Sequence, residues 1–356
     1  MIVPTTCPNL KTHPEKDKAT ITVVIPTFNR AHLLSRAINS VERQSYPNWK
    51  LIIADNASTD GTASVVADAM RIDSRITYFR HAENIGMLAN WAFAISKVKT
   101  PFFCILCDDD IVLPEYFQTT IEAMFDNEEI GLCFGSTAIV DNNGIRLGSA
   151  PTAMAFGYYT AGFGASAMVK AQHPASTGTL FRSSCVEAVG GFDQGSHFVA
   201  DLDMMLRVAL VYPIVYLEKE VAFYIDHSGN SFKDGSGWFP GLLNIFKNIK
   251  KFEISNQSQN PLVFQRLTHN AILLLTIQFI RHPIDTYKST NLHMVFQCLQ
   301  EGGQSIRMVL YHLPINIARA CVSSLKRKCL SFYLSAKSDG RLGTHLRRHP
   351  RADDYF

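Results

Sequence analysis

Apolar residues in the first 140 positions form short unbroken runs, separated by stretches with helical spacing. The runs Ile21-Thr-Val-Val-Ile25, Leu51-Ile-Ile-Ala54, Ile76 to Phe79 and Pro101-Phe-Phe-Cys-Ile-Leu-Cys107 are rich in β-branched and aromatic residues. They are too short for core helices, so the pattern predicts buried strands. Between them, Leu33, Leu34, Ala37, Ile38 and Val41 recur at the spacing of one helix face, predicting a helix over Ala31 to Gln44. Ser58-Thr59-Asp60-Gly61 opens a second helix through Met70, with polar groups placed for N-capping, and a third follows from Met87 to Val98. Strands alternating with helices predict an α/β fold with a mostly parallel sheet covered on both faces.

Further along, Ile130 to Val140 reads as a strand and Asp141-Asn-Asn-Gly144 as a hairpin turn. Residues 148–178 are rich in Gly, Ala, Ser and Tyr without a period, the signature of a functional or disordered loop. Gly178-Thr-Leu-Phe-Arg182 resumes regular structure, Asp201 to Val211 has helical spacing, and Ile214 to Leu217 and Val221 to Ile225 read as two strands. From Pro240 the pattern is helical, with Leu242, Leu243, Ile245, Phe246 and Ile249 alternating with Lys247, Lys250 and Lys251. Met308 to Leu325 and Lys326 to Leu334 repeat this apolar and basic mixture. Such helices either lie on an anionic membrane or pack on the domain with their cations outward. The expected organisation is an N-terminal arm (1–19), an α/β domain (20–239), a basic helical extension (240–340) and a tail (341–356) whose composition predicts disorder.

Charge sharpens this division. Residues 240–356 carry 16 Lys and Arg against 6 Asp and Glu, a net of +10, whereas residues 1–239 carry 18 against 25, a net of −7. A near-neutral to acidic body therefore bears a basic appendage suited to an anionic partner. Nucleic acid is a poor candidate for that partner, because the basic tail has no recognised motif or aromatic stacking pattern. The eight cysteines show no disulfide framework, and Cys104-x-x-Cys107 lacks the second pair or histidines of a zinc site. No run approaches the ~18 apolar residues of a membrane span, and Met1 to Thr20 lacks a signal-peptide core. The expectation is a cytoplasmic protein, with peripheral contact at the inner face of the plasma membrane as an extension of that reading.

The chemistry concentrates at Asp108, Asp109 and Asp110, directly after the fourth run. Open α/β sheets bind ligands at the carboxyl ends of their strands. Three adjacent carboxylates repel one another and favour a compensating cation; hard oxygen donors suit Mg²⁺ or Mn²⁺, which bridge readily to phosphates. A solvated acidic turn before Pro114-Glu115 would have the same sequence.

Taken in order, the motifs over roughly residues 20–235 resemble those of family 2 glycosyltransferases, inverting nucleotide-sugar enzymes with the GT-A fold. Val23-Val-Ile-Pro-Thr-Phe-Asn-Arg30 is similar to the family's opening strand and nucleotide-contacting turn, which gives Pro26, Thr27, Phe28 and Arg30 a place at the nucleotide. Asp55-Asn-Ala-Ser-Thr-Asp-Gly-Thr62 resembles the second motif, whose leading acid accepts from the base; Asp60 and Gly61 shape the turn. Glu83-Asn84-Ile-Gly86 with Asn90 resembles the third motif of the nucleotide pocket. In the aspartate motif Cys107 stands where many relatives have the first Asp. The resemblance makes Asp109 a metal ligand, Asp110 its helper, and Asp108 a contact to ribose or to metal-bound water.

Gly190-Gly-Phe-Asp193 followed by Ala200-Asp201-Leu-Asp203 resembles the acceptor-side segment, with Ala200 replacing the usual Glu. It implies that Asp201 is the general base. Asp203 lies off that face of a helix and suits a structural pairing with Arg207. Tyr224-Ile-Asp-His227 resembles a Tyr-Arg-x-His stretch with Ile225 replacing Arg, and it makes His227 a third metal ligand or a diphosphate contact. Arg182 and Arg207 are further candidates for sugar or diphosphate contact. The implied activity is metal-dependent transfer of a sugar, with inversion, from a nucleoside-diphosphate sugar to a hydroxyl of a glycan or lipid-linked acceptor, in O-antigen, capsule or similar polysaccharide synthesis. Two alternatives remain: a sugar nucleotidyltransferase, although Pro26-Thr27-Phe28-Asn29 stands where its Gly-rich loop would be, and a non-catalytic nucleotide-sugar-binding scaffold of the same fold.

Overall fold

The computed structural model describes residues 19–125, 127–149, 154–171, 175–227 and 238–255. The first half follows the predicted alternation: β1 (Ile21–Thr27), α1 (Ala31–Glu42), β2 (Trp49–Asp55), α2 (Thr62–Ile72), β3 (Ile76–Arg80), α3 (Met87–Ser96) and β4 (Phe102–Ile105). β1 is buried along its whole length. It pairs in parallel with β2 on one side and β4 on the other. This explains the unbroken apolar runs, since strands covered on both faces have no polar side. The face of α1 that covers them carries Leu33, Leu34, Ala37, Ile38 and Val41, as the spacing predicts.

The chain continues through β5 (Ile111–Val112), α4 (Tyr116–Phe125), β6 (Leu132–Asp141), β7 (Arg146–Ser149), β8 (Gly157–Tyr159), α5 (Phe163–Ala171), β9 (Thr179–Arg182) and α6 (Ser183–Ala188). A short 3-10 helix (Gln194–Val199), α7 (Ala200–Val211), β10 (Ile214–Asp226) and α8 (Trp238–Ser255) complete the described residues. They form one sheet in the order β3-β2-β1-β4-β9-β6-β10-β5, with β7 on β6 and β8 on β10. β9 runs antiparallel between β4 and β6, so the sheet is mixed. This is the α/β class that the sequence predicts. The order reverses beside β1, and the carboxyl ends of β1, β2 and β4 open at that point, where α/β sheets form ligand crevices.

Three segments differ from the sequence reading. Residues 148–178 contain the end of β7, together with β8 and α5. Helix α5 buries Ala165, Met168 and Val169, and its small residues gave too weak a period to register. Ile214–Leu217 and Val221–Ile225 belong to one strand, β10, whose pairing with β6 shifts register between Tyr216 and Ala222. That irregularity puts Glu218, Lys219 and Glu220 in the interior of the strand and interrupts its apolar run. Finally, α8 begins at Trp238, inside the expected α/β domain, and buries Leu242, Ile245, Phe246 and Ile249 against the 3-10 helix and α7. Lys247 and Lys251 face outward. The apolar face of this first basic helix therefore packs on the domain. Almost all of the N-terminal arm, the basic segments 308–334 and the tail lie outside the described residues. No helix among the described residues is long and apolar enough to cross a membrane.

Candidate active site

Two turns are stitched together at the mouth of the crevice. After β1, Asn29 takes φ 54° and its N–H donates to Ser58 Oγ at 2.9 Å, while its Oδ1 accepts from the Thr59 N–H at 2.7 Å. Asp60 accepts from Ala31 N–H at the start of α1 and from Thr62 N–H at the start of α2, each at 3.0 Å. Burial pushes the Asp60 carboxyl up, but these hydrogen bonds outweigh it and hold the group below the ordinary carboxylate range. One carboxylate thus fixes two helix N-termini, and the arrangement sets where Thr27 and Arg30 stand.

Both of those residues hold the aspartates. Thr27 Oγ1 donates to Asp108 Oδ2 at 2.7 Å, and Arg30 Nη1 lies 3.0 Å from Asp108 Oδ1 and 2.5 Å from Asp109 Oδ2. Asp110 accepts from Thr177 Oγ1 at 2.6 Å and from the Ile225 N–H at 3.1 Å. His227 Nε2 lies 3.1 Å from Asp109 Oδ2. This last contact follows from β5, an element not foreseen from the sequence. β5 pairs Ile111 with Phe223 and Val112 with Ala222, which draws the end of β10 onto the aspartates.

Carboxylates crowded in this way resist ionisation. Burial, partly offset by Arg30 and reinforced by Asp109, pushes Asp108 up to about 6. Burial and the charge of Asp109 push Asp110 up to about 8. Ligand atoms of Cys107, Asp109 and Asp110 lie within 4.8 Å of one another. Burial, then the neighbouring carboxylates, pushes the Cys107 thiol well up, which disfavours thiolate ligation of a soft metal. The donor set fits a hard divalent cation held by Asp109 and Asp110 with His227 adjacent.

A cavity of about 550 Å³ opens in front of this cluster. Pro26, Thr27, Phe28, Arg30, Asn84 and Asn90 line it, as do all three aspartates. Asp201, in the first turn of α7, lines the same cavity. Three expected residues stand elsewhere. Asp55 is fully buried; its carboxylate accepts from Ser58 N–H at 2.8 Å and Tyr78 OH at 2.5 Å, with Arg80 at 3.6 Å. In this conformation Asp55 braces the turn instead of lining the cavity, and a base would reach it only if Tyr78 or Arg80 moved. Gly86, at φ 87°, starts α3 from a conformation that glycine favours and is also outside the lining. His227, 3.1 Å from Asp109, is likewise outside the lining.

The arginines named as sugar or diphosphate partners are structural. Arg182 donates to the carbonyls of Ile130, Met124 and Asn127. Arg207 pairs with Asp203 at 2.8 Å and donates to the carbonyls of Val189 and Gly191, fixing the turn before Phe192. Sequence reasoning passed over several lining residues. Asn56 bonds Asn84 Oδ1 and the Ile85 N–H, each at 2.9 Å, and its position directly after a strand-end acid was the available signal. Trp91 and Phe192 face each other across the cavity wall with ring centres 6.0 Å apart. His197 carried no sequence signal at all.

Residues 22–187 match the family model of glycosyl transferase family 2. Over 129 residues the chain is 30% identical to an Escherichia coli protein, UDP-Glc:alpha-D-GlcNAc-diphosphoundecaprenol beta-1,3-glucosyltransferase WfgD, covering 36% of this chain and 50% of that one. The chain thus spans about half the length of this curated relative. Among solved structures, S. aureus TarS 1-349 in complex with UDP-GlcNAc superposes with a TM-score of 0.63 at 14% identity, over 92% of this chain and 93% of that one. The mannosyltransferase PcManGT from Pyrobaculum calidifontis, in complex with GDP-Man and Mn2+, superposes with a TM-score of 0.51 at 14% identity over 86% of each chain. The fold is GT-A, and residues 22–187 are similar to the family 2 glycosyltransferase domain.

Proposed function

We propose that this protein transfers a sugar from a nucleoside-diphosphate sugar to a hydroxyl of a glycan or lipid-linked acceptor, with inversion, in the assembly of a cell-surface polysaccharide. One observation carries the reading: Asp201 lines the same cavity as Asp108, Asp109 and Asp110. A single in-line displacement needs a base on one side of the anomeric carbon and charge stabilisation for the leaving diphosphate on the other. Asp201 is the base that takes the proton of the acceptor hydroxyl. Pro26, Thr27, Phe28, Asn84 and Asn90 shape the nucleotide side, and Arg30 is placed to exchange its aspartate contacts for a diphosphate. Asp109 and Asp110, with His227, would hold Mg²⁺ or Mn²⁺, which neutralises charge on the leaving diphosphate. Relatives named for diphosphoundecaprenol-linked sugars and for teichuronic and colanic acid synthesis support the cell-surface assignment.

The test is a transfer assay on the purified full chain. UDP-, GDP- and dTDP-sugars with Mg²⁺ or Mn²⁺ are offered to GlcNAc-diphosphoundecaprenol and to free oligosaccharides, with products read by mass spectrometry and anomeric NMR. One donor should give an inverted glycoside. A retained anomer would remove the single-displacement mechanism. Pyrophosphate release from a nucleoside triphosphate and a sugar phosphate would favour the nucleotidyltransferase reading. Donor binding without transfer would favour the scaffold.

A further inference from the structure

The segment between the Gly190-Gly191 turn and Asp201 lies beyond the residues matched to the family, and it is built in an unusual way. Within its 3-10 helix, His197 takes φ 48° and ψ −134°, a conformation that residues with a Cβ rarely hold unless their surroundings impose it. Those surroundings are provided by α8. Asn244 Nδ2 donates to Ser196 Oγ and to Asp193 Oδ2, each at 2.9 Å. Asn248 Nδ2 reaches Asp193 Oδ2 at 3.2 Å and Asp203 Oδ1 at 2.9 Å. Gly241 passes so close that a Cβ there would stand 2.3 Å from the Ser196 carbonyl oxygen. Ser196 and Val199 are buried on either side of the strained residue, whereas His197 itself is exposed and lines the cavity. Phe192, Phe198, Val199 and Ala200 of this segment line the cavity as well, but the strain falls on His197, the exposed polar residue among them, four positions before Asp201.

We propose that His197 is a specificity-determining contact for the acceptor, held in its strained conformation by the α8 clamp. This rests on the transferase reading above and extends it. The nucleotide side of the cavity is built from the ends of β1, β2 and β4, while His197 belongs to the wall that leads into Asp201. A neutral imidazole offers one donor and one acceptor, which suits a sugar hydroxyl. Strain that persists in a folded protein concentrates at sites where it positions a group. Asn244 and Asn248 are positioning residues that act through this segment.

The test compares His197→Ala, His197→Gly and His197→Gln with the wild type, using the donor and acceptor that the wild type turns over in the transfer assay. For His197→Ala, acceptor KM should rise at least tenfold while donor KM moves less than twofold, and His197→Gln should recover part of the loss. His197→Gly should show the same acceptor defect yet melt about 2–4 °C higher than wild type, because glycine relieves the strain. A merely structural role would not combine higher stability with weaker acceptor recognition. Unchanged acceptor KM in His197→Ala, or a lower melting temperature in His197→Gly, overturns the proposal while leaving the transferase reading standing. Absence of transfer by the wild type to any acceptor removes that reading, and this proposal with it.

Discussion

At the scale of single residues, the site separates groups that open onto the cavity from groups that brace the fold around it. Asp201 and Asp203 show the difference, two positions apart on one helix. Asp201 opens to the cavity, whereas Asp203 is buried against Arg207 at 2.8 Å. Asp201→Asn should lower kcat by about 10²–10⁴-fold, the usual contribution of a general base, while stabilisation by a nucleoside diphosphate persists. Loss of that stabilisation would mean that Asp201 serves the nucleotide. Asp203→Ala should act on the fold: removing one partner of a buried ion pair leaves Arg207 uncompensated and costs about 3–5 kcal/mol, read as a shift of the urea midpoint. A midpoint shift near zero would show that the carbonyls of Val189 and Gly191 suffice for Arg207. Much of this was legible in the sequence, because strand-end acids and a two-residue offset on a helix follow from local geometry. The burial of Asp55 was not legible, since it depends on Tyr78 reaching across from a neighbouring strand.

At the scale of elements, α8 and β5 decide how the segment leading into Asp201 and the aspartates are held. Asp193 accepts hydrogen bonds from Gly195 N–H and from the Asn244 and Asn248 side chains, tying the 3-10 helix to α8. Burial pushes its carboxyl up, but these hydrogen bonds outweigh burial and hold it below the ordinary range. A carboxylate whose folded value is depressed stabilises the native state fully above its unfolded value and loses that contribution as pH falls through the folded one. The melting temperature should therefore fall as pH drops from about 5 toward 3, near the unfolded carboxylate value of about 3.9. Part of that fall should disappear in Asp193→Asn; identical pH profiles for the two proteins would dismiss the clamp as a source of acid sensitivity. Phe246→Ala, which empties a buried ring site on the same helix, should cost about 3–5 kcal/mol in urea unfolding. Neither the clamp nor the β5–β10 pairing was readable from the sequence. Periodicity identifies the face of α8 that is apolar but not what covers it, and a two-residue strand has no period. The same limit split β10 into two strands, because its interior polar residues coincide with a register shift that only the partner strand reveals.

At the scale of the whole molecule, an acidic body precedes a basic C-terminal third. The α/β body brings the turns after β1 and β2, the aspartates after β4 and Asp201 of α7 to one cavity. Crowded carboxylates that burial pushes up to about 6 and about 8 would be relieved by a divalent cation, and that cation would in turn attract an anionic diphosphate that the bare carboxylates repel, so the two should bind jointly. The fold and this crevice could be anticipated because motif order and strand-end chemistry are properties of the chain itself, whereas the wall leading into Asp201 is held by α8, a segment distant in sequence. The claim most exposed to test is this joint binding. The measurement is the melting temperature of the full chain with UDP, GDP, dTDP and CMP, each with and without Mn²⁺, in wild type and Asp109→Ala. A ligand that binds only the folded state raises stability by about 2.7 kcal/mol at a hundred times its Kd. The account predicts a rise with one nucleoside diphosphate that requires Mn²⁺ and vanishes in Asp109→Ala. A rise that is independent of Mn²⁺, or that survives in Asp109→Ala, would contradict it.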